Sequence, residues 1–572
     1  MDVTATARVR RVRFGGGSLA ALGVGALLAW LVGYPLFVTA LEALGWPTPS
    51  LAPLRDLFAR ADEWQALWRS LWISLASVVA AAVLGVPLGF VFGRGDFPGR
   101  RTLAALLTLP VALPPLVGVL AFLFLWGESG FAARGVQALL GLEEPPWRLA
   151  GWPAILLVHA YSMYVYFFLF TRAALARLDP SLAEAAAALG ASRRRTLFAV
   201  TLPALRPALA GAALLTFLTA LASFSAPYLF GGGFRVMTTQ IVASRLNGNH
   251  RLAMAESLLL AALAFVALAF SGRLAGAQEV AASGHGVAPR ARRLTGFTGA
   301  AVAVAGWALA LFLLLPHATL LLLSLVPTGT WTVETLPPHL DLSNYRMLAD
   351  PERWRPVWSS FWMAAVSTVA ALALGFLAAR LARGGGRLRR SALESLVGLP
   401  WAVPGTVFAV ALAVTFSVDD PAMLRFVLIG TPWLLPLAYL LRSLPLTGRA
   451  AVAGLRQLDP ALEEAAASLG AGRARTLRRV VLPLVRPALA AGAGLAFVTA
   501  LGDFVTSILL YTWDNRPIAM EILESLRLQE TGLAAVYGVL LAAASTAALL
   551  MWGEKEPPRA RPPAAVSPRV PA

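Results

Sequence analysis

The sequence predicts an all-α polytopic membrane protein with about twelve transmembrane helices, arranged as two parallel six-helix repeats. Three observations predict it. Of the 572 residues, 58% are hydrophobic and only 14% charged, with a mean hydropathy of +0.69, far too apolar for a water-soluble globule. Apolar runs of about 20 residues recur along the chain, each long enough to cross a bilayer as a helix. The segment from Leu178 to Pro207 reappears, without a gap, from Leu458 to Pro487. A β-barrel is excluded, because its spans would be short, alternating strands around a polar lumen.

Arg8, Arg10, Arg11 and Arg13 precede an apolar run at 18–41. That run is longer than a signal-peptide core and no small-residue cleavage site follows, so it reads as a first transmembrane helix left in place. Further spans follow at 69–93, 103–125, 151–172, 206–229 and 252–275, giving a first module at residues 1–280. The polar, Arg-containing stretch 281–294 reads as a linker. A second module, 295–553, has spans at 297–326, 358–382, 392–416, 423–445, 487–511 and 533–552. The Pro- and Arg-rich tail 554–572 reads as disordered.

The repeat extends beyond its most obvious part. Ser70-Leu71-Trp72 matches Ser360-Phe361-Trp362, Ser77 matches Ser367 and Gly85 matches Gly375. Leu109-Pro110 with Pro114 matches Leu399-Pro400 with Pro404. These pairs are offset by ten residues more than the later ones, so the second copy has lost residues, most simply where 126–150 faces the shorter 417–422. An even number of spans keeps the two copies parallel, related by an axis along the membrane normal, with a pathway at their seam.

The net charge of +18 could suggest a nucleic-acid partner, but the placement of the charges argues against one. With Met1 inside, and each charge counted to its nearer side, 34 of the 48 Lys and Arg residues fall on the inner side. That asymmetry is the positive-inside rule, and it places both termini in the cytoplasm. There are no cysteines, which excludes disulfides and thiolate metal sites. The polar connections are short, so a substrate-capturing domain outside, or an energy-supplying one inside, must belong to other chains.

Within each duplicated segment Asp179 or Asp459 is a good N-cap, and the proline that follows suits the first helical position. Ala-rich turns follow, and Gly190 or Gly470 stands where a left-handed residue ends the helix. A basic stretch then leads to Pro203 or Pro483, where the chain is expected to turn into the next span. Small alanines permit close approach by a partner, with Glu184 or Glu464 as a charged anchor. The alternative is an amphipathic helix lying on lipid headgroups.

Glu184-Ala185-Ala186, then Gly190, Val200 and Leu202-Pro203, fit the signature of the permeases of binding-protein-dependent ABC importers. So do Glu464-Ala465-Ala466, Gly470, Val480 and Leu482-Pro483. In both copies Val stands where Ile is usual. The resemblance covers essentially the whole chain and implies the type I ABC importer permease fold. It implies that Glu184, Ala185, Ala186, Gly190, Pro203, Glu464, Ala465, Ala466, Gly470 and Pro483 form coupling segments for two ATP-binding cassette subunits. It further implies a solute-binding protein at the outer face and a place in the bacterial inner membrane. The fused double form resembles the ferric-iron and thiamine permeases. Gly502-Asp503-Phe504, Leu509-Leu510-Tyr511 and Asn515-Arg516-Pro517-Ile518 look more like the ferric-iron type, with thiamine or a small organic anion as alternatives.

The chain is not itself expected to hydrolyse ATP. A phosphate-binding loop needs Gly-Lys-Ser/Thr, and the only lysine is Lys555, between Glu554 and Glu556. No resident cofactor or metal is expected. Asp503 falls inside the expected eleventh span, where an ionisable group costs about 2.5–3.5 kcal/mol. It either lines the pathway, with Ser223 as its counterpart, or serves packing through hydrogen bonds. His159, His317 and Glu256 read as interhelical hydrogen-bonding groups. An ion-coupled secondary transporter would need more intramembrane acidic and basic relays than this chain has. A membrane enzyme would need a catalytic constellation that does not stand out.

Overall fold

The computed structural model describes residues 15–45, 52–112, 114–276, 292–327, 339–417 and 421–552, with Ser50, Thr330 and Asp419. Most of the linker expected at 281–294 and the tail at 554–572 lie outside the described residues. Among the described residues, ten helices are long and apolar enough to cross a membrane. The pair Arg387–Ala402 and Gly405–Thr415, bent by 105°, makes an eleventh. Leu434–Gln457 occupies the place of a twelfth, but Arg442, Arg449 and Arg456 lower its hydropathy. Among the described residues the only strands are Gly95–Asp96 and Arg292–Arg293, which pair in parallel and join the entry of the second half to the first.

Both halves follow one order. In the first, Ala61–Arg94, a broken third span ending in Pro115–Trp126, Gly151–Arg177 and Arg193–Leu221 form a bundle closed by His250–Gly276. In the second, Pro351–Arg383, the bent pair, Leu434–Gln457, Arg473–Leu501 and Thr531–Trp552 repeat it. Glycine brings the second and fourth spans together. A Cβ on Gly89 would stand 2.5 Å from Thr171 Cβ, and one on Gly375 would stand 2.7 Å from Thr447 Oγ1. Such small residues let backbones approach where lipid provides no hydrophobic drive. The ten-residue difference lies where the first half inserts Phe131–Leu140.

The first helix of each half leans on the other half. Gly15–Leu28 packs on Pro351–Arg383 and Arg387–Ala402, and Tyr34–Ala43 packs on Gly405–Thr415. Trp30 Nε1 donates to Ala422 O at 2.7 Å. Reciprocally, Gly296–Ser324 packs on Pro115–Trp126, and Tyr161 OH donates to Leu313 O at 2.9 Å.

Three sequence expectations need correction. The spans expected from 206 and 487 begin at Arg193 and Arg473, because the chain does not turn at Pro203 or Pro483. The helix absorbs each proline by widening for five residues, Leu197–Thr201 and Leu477–Val481, where Leu202 N–H reaches back to Leu197 O and Leu482 N–H to Leu477 O. Proline offers no amide to the ordinary ladder, and a π-turn accommodates the mismatch. The span expected at 423–445 is a helix at Leu434–Gln457, because Leu424 and Arg425 take positive φ (53° and 63°) and turn the chain instead. The spans expected to reach 229 and 511 stop at Leu221 and Leu501. Beyond them come breaks and two helices the hydropathy did not show, Met237–Leu246 and Ile518–Arg527.

Candidate functional site

The duplicated segments fold into Pro180–Ala188 and Pro460–Ser468, alike in every local detail. Asp179 Oδ1 accepts from Ser181 N–H and Asp459 Oδ1 from Ala461 N–H, both at 2.9 Å. The Ser181 bonds hold the Asp179 carboxyl below its ordinary pKa. Gly190 and Gly470 both have φ +78°, the left-handed conformation glycine adopts at least cost. Ala191 N–H closes on Ala186 O at 2.9 Å and Ala471 N–H on Ala466 O at 3.0 Å, completing a Schellman end.

Neither helix buries a residue. Glu184, Ala185, Glu464 and Ala465 are exposed, while Ala186 and Ala466 are half-buried against the basic stretch. Leu189 and Leu469 stand 89% and 88% exposed, with Leu182 and Leu462 also exposed. Matching apolar side chains are thus displayed at two equivalent places. The two differ in their anchoring. Glu463 makes a forked ion pair with Arg380 and a second with Arg383 (3.1 Å), and Arg383 also donates to Leu458 O (3.0 Å). Ala183 takes the place of Glu463 in the first copy and has no such tether.

The second candidate region is the seam, where the breaks after Leu221 and Leu501 meet. Phe224 and Phe504 stack across it at 5.4 Å between centroids, with Tyr228 5.9 Å from Phe504. A Cβ on Gly502 would collide with Pro114, so the halves touch through glycine there.

Asp503 lies in the break rather than inside a span, and its carboxylate is fully engaged. Oδ1 accepts from Thr506 N–H (2.9 Å), and Oδ2 accepts from Thr506 Oγ1 (2.6 Å) and pairs with Arg442 Nε (3.2 Å). Tyr439 OH lies 2.6 Å from Ser507 Oγ in the same break. In the first half His159 holds the corresponding break: Nδ1 lies 2.8 Å from Ser77 Oγ and Nε2 2.9 Å from Ser223 Oγ. His159 and Tyr439 share one repeat position, so an imidazole and a phenol perform equivalent jobs. The two hidden helices are also hung alike: Met237 N–H donates to Ser70 Oγ (2.7 Å) and Ile518 N–H to Ser360 Oγ (2.8 Å).

Farther out the halves diverge. Gln240 donates to Glu63 (2.8 Å) and Ser244 to Glu256 (2.7 Å) in the first half, whereas the second has the ion pair of Arg353 and Glu530 at 2.7 Å. His317 Nδ1 lies 3.3 Å from Tyr161 OH. Burial pushes the Glu521 carboxyl up in pKa, with Arg516 at 2.9 Å opposing the shift. Among the described residues no three metal-ligating side chains converge.

Sequence reasoning singled out Asp503 and Ser223 but missed Arg442, the tether at Glu463, and the Arg449 and Arg456 that follow Arg442 at seven-residue intervals. That interval was the available signal, since it puts all three on one helix face.

Residues 85–277 and 371–552 each match the family described as binding-protein-dependent transport system inner membrane component. A probable ABC transporter permease protein of Sinorhizobium fredii is 32% identical over 462 residues, covering 79% of this chain and 81% of that protein. A ferric transport system permease protein of Actinobacillus pleuropneumoniae is 30% identical over 453 residues, 78% of this chain and 64% of that protein. A sulfate transport system permease protein of Salmonella typhimurium is 35% identical over 165 residues, 27% of this chain and 59% of that protein. With two matched segments and a relative of 32% identity along most of both chains, the chain belongs to the inner-membrane permeases of binding-protein-dependent ABC importers, with two modules fused in one polypeptide.

Proposed function

We propose that this chain forms the whole translocation pathway of an ATP-driven importer, with ferric iron as its cargo. One ATP-binding subunit docks on Pro180–Ala188 and another on Pro460–Ser468, and a solute-binding protein delivers cargo at the opposite end. The observation that carries the reading is the pair of coupling helices, identical in capping and equally bare, each displaying one exposed leucine beyond its Glu-Ala-Ala turn. The end that carries them is the cytoplasmic one, a reading the surrounding arginines support. Asp503 and Ser223 hold the seam at corresponding places and set how the two breaks move when the ATPases close. The iron assignment is supported by the ferric relatives, which align over most of this chain.

Glu184→Arg with Glu464→Arg reverses charge on both docking surfaces without touching a buried group. The double variant should reach the membrane in normal amount, lose co-purification of the ATP-binding subunit, and lower 55Fe uptake at least tenfold. Normal uptake would sink the docking assignment.

A further inference from the structure

The arginines of Leu434–Gln457 have no part in either coupling helix. Arg442, Arg449 and Arg456 recur every two turns and form one stripe about 21 Å long. The other side of this helix is spoken for. Thr447 Oγ1 donates to Ala371 O (2.8 Å), and a Cβ on Gly375 would meet Gly448 N at 2.9 Å, so Thr447 and Gly448 face Pro351–Arg383. That neighbouring helix turns exposed Val366, Val369 and Leu377 outward to lipid. The arginine stripe lies to one side of that contact, against Trp401, Gly405 and Glu394 of the bent pair. Guanidinium groups inside a membrane face water or partners, not hydrocarbon.

The stripe also connects two places. At its upper end Arg442 meets Asp503 in the seam, packed so closely on Gly405 that a Cβ there would displace it. At its lower end Arg449 and Arg456 border a cavity of about 360 Å³, walled by small residues of Pro351–Arg383 and by Leu393, Glu394, Val397 and Gly398 of Arg387–Ala402. Arg449 stacks on Trp401 at 4.4 Å, and Arg456 stands 4.0 Å from Glu394, the single acidic residue of that wall, which Arg390 also engages at 2.9 Å. Arg442 is paired with Asp503, and Arg456 and Arg390 share Glu394, so four arginines stand along this line against two acids and Arg449 has no acid beside it. At the corresponding positions the first half has Ser162, Leu169 and Ala176, so the track belongs to one half only.

We propose that this stripe is a cationic track along which the cargo crosses as an anion, ferric iron travelling as a negatively charged complex with oxygen ligands and not as a bare trivalent cation. The cargo assignment rests on the importer reading above; the charge and wetness of the track do not. The chain contains no cysteine, so an introduced thiol is unique. Ala453, exposed between Arg449 and Arg456, is the reporter position.

In membrane vesicles holding the full-length chain with the coupling face accessible, Ala453→Cys is labelled by an anionic sulfonatoethyl and a cationic trimethylammonioethyl methanethiosulfonate. Each rate is divided by that reagent's rate with a free thiol. The anionic reagent should react at least tenfold faster on this scale, and Arg449→Gln with Arg456→Gln should bring the ratio below three. Val369→Cys should label with neither. Ferric citrate should slow the anionic labelling at least threefold, and hexaamminecobalt(III), a trivalent cation, should not. A ratio favouring the cation, no labelling at Ala453→Cys, or protection by the cobalt complex alone overturns the proposal. None of these readouts needs ATP or a partner, so their failure is distinguishable from failure of the docking variants.

Discussion

Asp503 and Arg442 show how a charge is kept in a buried break between helices. Each alone would be costly, and together they neutralise one another while Thr506 satisfies the remaining carboxylate capacity. Breaking a buried pair from one side leaves the other charge stranded, a loss of about 3–5 kcal/mol. Asp503→Asn and Arg442→Met should therefore each lower the thermal midpoint of the detergent-purified protein markedly, and the double variant should recover much of that loss. Additive losses in the cycle would show that the two do not act as a pair. Uptake unchanged by Asp503→Asn would remove any role for the charge in transport. The sequence pointed to Asp503 because an acid within an apolar stretch is conspicuous. Arg442 escaped notice because its partner is distant in sequence and its helix begins later than hydropathy implied.

The two duplicated helices were legible residue by residue because everything that defines them is local: an Asp-Pro start, an Ala-rich body and a glycine stop. The spans were legible in order but not at their ends, and the expected twelve compare with ten apolar helices and one bent pair among the described residues. Proline before a helix was read as a turn, although a π-turn lets the helix run on through Pro203 and Pro483. Met237–Leu246 and Ile518–Arg527 were invisible because they are short, and their first amides are hung from serines more than 150 residues away. The unequal anchoring of the coupling helices belongs to this scale. The Glu463 network, half-exposed and multidentate, contributes about 1 kcal/mol. Glu463→Ala should leave membrane insertion intact and reduce uptake two- to fivefold by loosening one helix. Ala183→Glu in the other copy, where Phe90 and Gly93 stand in place of the two arginines, should not mimic the tether. Equal uptake by wild type and Glu463→Ala would show that the tether does not transmit force.

The parallel arrangement of the halves was predicted from the even span count, whereas the exchange of first helices was not, since no local signal says which half a helix will lean on. Each half therefore presents incomplete surfaces when isolated. Expressing residues 1–280 alone should give a product that is rapidly degraded, and co-expressing residues 281–572 should restore it to the membrane at levels visible by immunoblot. A first half that persists unaided would contradict this. The asymmetry between the halves is likewise a property of the whole: one has Arg442, Arg449 and Arg456 where the other has Ser162, Leu169 and Ala176, while the duplicated helices keep the same capping in both.

The exchanged helices also impose a schedule on synthesis. Tyr34–Ala43 rests on Gly405–Thr415, made about 370 residues later, which at 5–20 residues per second is a delay of roughly 20–75 s. Until His250–Gly276 is made the first helix has neither of its permanent neighbours, and it lacks Gly405–Thr415 throughout the interval. Slowing translation should prolong this exposed state, and the membrane's quality-control proteases would have longest access to the amino-terminal segment.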